Sequence, residues 1–307
     1  MRKFMQSSLV LVGALATASA SAGLYSQNFE VDSSATWTLN NGPSDSAADY
    51  FFDYSTVGIP AAPNGTGTRG MKLQANLTNG IFSGMSVSPT GLVLPGDYTL
   101  AFDWWANVNG PFPAGGSGST NLSTFGIGTS GTNVQWPGGV QSSVFFAATG
   151  DGNSTADWRA YSSAAPTGYV DGSSVFPFTT RNSSNAYFSS FGQVTAPAAQ
   201  VGLFPQQTGT TLVGSAGMEW HRVEIEKVGN IARWLVDGVL MATIDLSTVT
   251  LAGNNIFFGH SDTNATSSTD PNDASLLFTL IDNISVVPEP ASLTLLAFGA
   301  VLAVRRR

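Results

Sequence analysis

Cysteine is absent from the 307 residues. That excludes disulfides, thiol catalysis, haem attachment through cysteine and most structural zinc sites. It is compatible with export, because a core of this size needs no covalent staples. Histidine occurs only as His221 and His260. Charged residues make up 10% of the chain, and the basic ones are the scarcer: Lys+Arg 12 against Asp+Glu 20, a net charge of −8. Five of the twelve, Arg2, Lys3, Arg305, Arg306 and Arg307, lie at the ends. The region between them keeps seven basic against twenty acidic groups, about −13, a surface that repels phosphate backbones and excludes nucleic-acid binding. It tolerates neutral sugars and divalent cations.

What is present is small, polar and turn-forming. Gly 34 and Pro 15 accompany many Ser, Thr and Asn, and aromatic residues reach 11%. This is too apolar for disorder and too polar for an integral membrane bundle. With terminal segments removed, about 265 residues remain, enough for one large β-sandwich.

Residues 1–22 read as a secretory signal: basic Arg2 and Lys3, an apolar run at residues 9–16, and the small-residue cleavage site Ala20-Ser21-Ala22. The domain then spans residues 23–286, and residues 287–307 form a separate tail carrying a short apolar helix.

The most informative stretch is residues 218–244. Gly229-Asn230 and Asp237-Gly238 separate three strand-like runs, and such dipeptides close tight hairpins because they tolerate positive φ. Val223 and Ile225 alternate with Glu224 and Glu226, and Ala232, Trp234 and Val236 alternate with Ile231, Arg233 and Leu235. This is the period-2 pattern of half-buried strands. A second run alternates Tyr98, Leu100, Phe102 and Trp104, assigned to the core, with Thr99, Ala101, Asp103 and Trp105 on the other face. Shorter strands are expected near residues 71–77, 123–127, 141–147, 158–161, 186–191, 200–203 and 255–260. The Gly/Asp/Asn run at residues 149–154 lacks the spacing of a calcium loop and reads as a turn.

Trp220-His221, the Gly-Asn turn and Val236-Asp237-Gly238-Val239-Leu240 together resemble the laminin-G/concanavalin A-like jelly roll. The resemblance implies an all-β, two-sheet antiparallel sandwich that often binds carbohydrate and sometimes calcium. Asn28-Phe29-Glu30 near the start and Ile281-Asp282-Asn283 near the end are similar to the first and last strands of extracellular sugar-binding sandwiches. There the two strands often pair, and the resemblance places Glu30 and Asp282 near a structural calcium ion. Solvated strand-end carboxylates are the alternative. Asp262, Asp270 and Asp273 crowd one loop and are either further oxygen ligands for calcium or a solvated acidic turn.

For sugar binding the candidates are Asp103 and Trp105, a carboxylate beside a ring on one strand face, with Trp136 near a loop. Core packing is the alternative for both tryptophans. Catalysis finds little support. No Gly-x-Ser-x-Gly elbow is marked, His221 falls on the family's structural Trp-His strand, and Glu224-Ile225-Glu226 lacks the third acid of the retaining glucanases on this fold.

Val287-Pro288-Glu289-Pro290, the apolar run at residues 291–304 and Arg305-Arg306-Arg307 resemble the PEP-CTERM sorting signal of Gram-negative, exopolysaccharide-producing bacteria. The resemblance implies processing by an exosortase-type transpeptidase; an ordinary C-terminal anchor that stays in place is the alternative. The run is short against the roughly 20 residues of a spanning helix. The terminal arginines favour the cytoplasmic side of the inner membrane. The expectation is therefore an exported, non-enzymatic protein of the cell surface or matrix that binds polysaccharide. The alternatives are a purely structural biofilm component, and a hydrolase or lyase using Glu224 and Glu226.

Overall fold

The computed structural model describes residues 23–42, 45–76, 81–113, 120–139, 142–262 and 272–289. The described residues form fourteen strands: β1 (Tyr25–Gln27), β2 (Trp37–Asn41), β3 (Ser46–Asp53), β4 (Arg69–Ala75), β5 (Ser83–Pro89), β6 (Tyr98–Asn107), β7 (Asn121–Thr129), β8 (Val144–Thr149), β9 (Trp158–Tyr161), β10 (Trp220–Val228), β11 (Ile231–Val236), β12 (Val239–Asp245), β13 (Asn255–Asp262) and β14 (Phe278–Pro288). The larger sheet runs β12-β11-β10-β6-β14-β4-β3, with β1 also paired to β14; the smaller runs β2-β5-β13-β7-β8-β9. The result is the two-sheet antiparallel jelly-roll sandwich the sequence pattern implies.

The central meander is built by its turns. Gly229 (φ 55°), then Asp237 (φ 51°) and Gly238 (φ 76°), occupy the left-handed region, the geometry whose twist matches paired strands. Val223 pairs with Val236 and Ile225 with Trp234 across the first hairpin, so one apolar row faces the other sheet. There Phe102 meets Phe125 at 5.1 Å and Phe258 at 4.9 Å, and Trp234 stacks on Phe146 at 5.0 Å. These edge-on and offset ring contacts add to the area term that dominates such cores.

First and last strands close the domain: Tyr25 pairs with Val286 and Gln27 with Ile284. β14 continues through Pro288, two residues beyond the end expected for the domain. The expected strands near residues 186–191 and 200–203 are instead a 3-10 turn (Ala186–Phe188) and α1 (Ala198–Leu203). Asn185 bends the chain by accepting a bond from the Tyr187 amide, and Pro197 starts α1. Both belong to a long excursion between β9 and β10. Its Phe188 and Phe191 cap Trp158 at 5.4 and 5.2 Å, and that indole donates to the Gly214 carbonyl. A second short helix, α2 (Asp273–Leu276), precedes β14.

The outer face of the larger sheet is half covered. A small second core of Tyr54, Ile59, Trp105, Met218, Phe278 and Leu280 sits over its β6–β14 portion. No helix among the described residues is long and apolar enough to cross a membrane; residues 1–22 and 290–307 lie outside those described.

Candidate functional site

The uncovered part of the larger sheet holds a cavity of about 490 Å³, lined by Ser26, Asn28, Glu30, Asn64, Arg222, Asn283 and their neighbours. Four pieces of chain converge on it: the end of β1, the loop at residues 64–67, Arg222 of β10 and the middle of β14. The convergence depends on a break in β14. Its register against β6 shifts between Asp282 and Ser285, and Asn283 takes φ 50°. Such a bulge re-aims a side chain, and here it turns the Asn283 amide onto Asp103. The loop closes down on this point because Gly65 and Gly67 have no Cβ. One added at Gly65 would strike the Asn283 amide, and one at Gly67 the Glu30 carboxylate.

Beneath the cavity lie two carboxylates directly opposite each other on neighbouring strands, Asp103 and Asp282. Asp103 is 0% exposed but well compensated. It accepts bonds from the Asn64 side chain (2.6 Å) and backbone (3.2 Å), from Asn283 Nδ2 (2.8 Å) and from Arg222 (3.1 Å). Asp282 is 2% exposed and forms no ion pair among the described residues. It accepts from the Asn283 amide (2.7 Å) and from the Tyr54 hydroxyl (3.1 Å). Burial, with lesser contributions from the charges of Asp103 and Glu30, pushes its carboxyl up to about 7. Desolvation disfavours the ionised form, and two hydrogen bonds do not fully offset it. Glu30 accepts from the Arg69 amide at 3.1 Å.

This places Glu30 and Asp282 at one site, as the resemblance to sugar-binding sandwiches implies. The donor set does not fit calcium as it stands. Calcium takes six to eight oxygens, whereas these carboxylate oxygens are largely committed to protein N–H and O–H donors. Among the described residues no group of three or more acidic, histidine or cysteine side chains is placed to hold a metal ion. In the second candidate set, the two described carboxylates also accept bonds from the protein. Asp262 accepts from Asn76 Nδ2 (2.6 Å) and the Thr120 amide (3.0 Å), Asp273 accepts from Asn109 Nδ2 (2.7 Å), and Asp270 lies outside the described residues.

Of the sugar-binding candidates, Asp103 and Trp105 do share the outer face of β6. Trp105 is 2% exposed, packed in the second small core at 5.7 Å from Trp220, with its indole N–H donated to Asn107. It presents no open ring face. Trp136 is 4% exposed and lies across the outer face of the smaller sheet, over Gly84 and 4.9 Å from Phe82. The cavity lining contains no aromatic ring. Sequence reasoning passed over Ser26, Asn28, Asn64, Arg222 and Asn283. The available signal was asparagine beside acid, in Asn28-Phe29-Glu30 and Asp282-Asn283, with Asn64 in a Pro-Asn-Gly-Thr-Gly turn.

Both histidines are buried and hydrogen-bonded within the protein. His221 is held between the Asp237 carboxylate (2.7 Å) and the Ala216 carbonyl (3.0 Å). His260 donates Nε2–H to Asn121 Oδ1 and accepts the Thr279 hydroxyl at Nδ1, both at 2.9 Å. Burial pushes this ring down to about 3, so it stays neutral. Glu226 lies 3.5 Å from Arg233 in a surface ion pair, and Glu224 shares its outward face.

No family model matches the chain, and no curated protein matches it in sequence. Among solved structures, the carbohydrate recognition domain of Emp47p aligns with a TM-score of 0.44 at 10% identity, over 89% of this chain and 99% of that one. The Ca²⁺-bound exoplasmic/lumenal domain of VIP36 gives 0.42 at 8% identity, over 86% and 89%. A structure from work on endo-acting O-glycanases of the human gut microbiota gives 0.44 at 12%, over 87% and 100%. All three scores lie below 0.5.

Proposed function

We propose that the chain is an exported surface or matrix protein whose sandwich binds polysaccharide, without catalysis, in the cavity bounded by β1, β10, β14 and the loop at residues 64–67. The observation that carries this reading is the lining itself. Hydroxyl, amide and carboxylate groups of Ser26, Asn28, Glu30, Asn64, Asn283 and Ser285 converge on one concave volume of about 490 Å³. Convergent donors and acceptors on a preformed cleft are what orient a polyhydroxylated ligand. With no ring in the lining, affinity comes from hydrogen bonds rather than stacking. A single site of this kind binds weakly, and a repeating polymer compensates through multivalency.

Several features support the non-catalytic part. Both histidines are consumed by structural bonds, and Asp103 is held by three side-chain donors. The export part rests on the signal-like residues 1–22 and on the tail, with Val287, Pro288, Glu289 and Pro290 as the sorting motif, residues 291–304 as a transient inner-membrane segment, and Arg305, Arg306 and Arg307 as its cytoplasmic end. In this reading an exosortase is the processing partner.

The test is titration of the protein with the producing organism's exopolysaccharide. Ser26 is exposed at the cavity mouth, so Ser26→Trp fills the mouth without touching the core. Saturable binding by the wild type, abolished in S26W and unchanged by a calcium chelator, is the expected result. Equal binding by wild type and S26W would remove the cavity from the account, and chelator sensitivity would reinstate a calcium-ordered site.

A further inference from the structure

The segment Val287-Pro288-Glu289 is part of the sandwich rather than a linker. Val287 pairs with Thr99 and Pro288 with Tyr98, extending the β14–β6 ladder to the first residue of β6. Beyond the strand, the Glu289 amide donates to the Asp97 carbonyl at 3.1 Å, and the Thr99 hydroxyl donates to the Glu289 carboxylate. The turn holding that carbonyl is itself braced. The Gly229 amide donates to Asp97 Oδ1 at 2.9 Å, and Lys227 reaches the Gly96 carbonyl at 2.8 Å. On the other side of β14, pairing with β1 ends where Leu24 donates to the Val286 carbonyl. Among the described residues, the final three are therefore held by β6 and by the Asp97 turn that precedes it.

We propose that the folded sandwich withholds this segment from a processing enzyme, and that release of residues 287–289 from β6 sets the rate at which the tail is removed. The inference rests on the sorting reading given above and adds its regulation. Enzymes that cut or transfer a peptide bond bind the substrate extended, through its backbone groups. Here the Glu289 N–H, and the carboxylate of the motif's acidic residue, already have partners inside the protein. A strand end opens at low cost by local fraying, so the arrangement is a latch and not a block. Removing a hydrogen bond to a charged group, worth about 1.5–3 kcal/mol, raises the open population by roughly tenfold or more.

The experiment follows tail loss of the full chain in the producing bacterium, by pulse labelling and mass measurement of the C-terminus. Thr99→Val deletes the donor to Glu289 while keeping a β-branched residue, and Thr99→Ser retains it. Thr99 and Val287 are direct cross-strand partners, and the chain has no other cysteine, so T99C/V287C locks the segment onto β6, with each single-cysteine variant as control. The expected result is tail loss about tenfold faster in T99V, at the wild-type rate in T99S, and stalled in the cross-linked double variant. Tail loss at one common rate in all of them would overturn the latch while leaving sorting intact. A tail kept by every variant, wild type included, would overturn both.

Discussion

Asp282 and His260 are both buried titratable groups, and they bias stability in opposite directions. The Asp282 carboxyl is raised from 3.8 to about 7, so the folded chain keeps a proton that the unfolded chain releases first. Its contribution is full below about pH 4 and is lost as pH rises toward 7. His260 is lowered from 6.5 to about 3, so its contribution is full above about pH 6.5 and is lost as pH falls toward 3. Thermal unfolding of Asp282→Asn is expected to fall less than the wild type between pH 4 and pH 7. Parallel curves for the two would mean that Asp282 titrates normally in the fold. The same residue scale explains why Asp103 resisted reading from sequence. Its alternation with Phe102 and Trp104 assigns it correctly to the outer face. Its hydrogen bonds from Asn64, Asn283 and Arg222 come from three other parts of the chain.

At the scale of elements, the hairpins were legible because their chemistry is local. Gly229-Asn230 and Asp237-Gly238 mark the turns, and Trp234 marks the core row between them. Trp234 is fully buried between Phe125, Phe146 and Trp158, so Trp234→Ala is expected to cost about 3–5 kcal/mol in a denaturant melt. A loss below 1 kcal/mol would contradict the packing described. The cavity was not legible, because its elements owe their shape to long-range contacts. The bulge in β14 follows from no residue periodicity, and the loop at residues 64–67 is positioned by glycines whose missing Cβ atoms matter only against Asn283 and Glu30. Gly67→Ala is accordingly expected to displace Glu30 and weaken polysaccharide binding several-fold with little change in melting temperature. Unchanged affinity would separate the loop from the site. The excursion between β9 and β10 misled the strand pattern for a related reason. Its aromatic residues are apolar because they cap Trp158, and Asn185 and Pro197 set their local conformation.

For the molecule as a whole, both ends of the described chain meet at one place. Leu24 and Tyr25 pair with Val286, and the cavity opens a few residues further along the same two strands, at Ser26, Asn28 and Asn283. A ligand site and the two chain ends thus share β1 and β14. In the proposed reading the polar cavity, and not a tryptophan face, receives the polysaccharide. The most direct test is amide chemical-shift mapping of the protein during titration with oligosaccharides cut from the producing organism's exopolysaccharide. Saturable shifts are expected at Ser26, Asn28, Asn64, Arg222 and Ser285, with Trp105 and Trp136 unmoved. Shifts centred on Trp136 and Phe82, with the cavity silent, would contradict this reading.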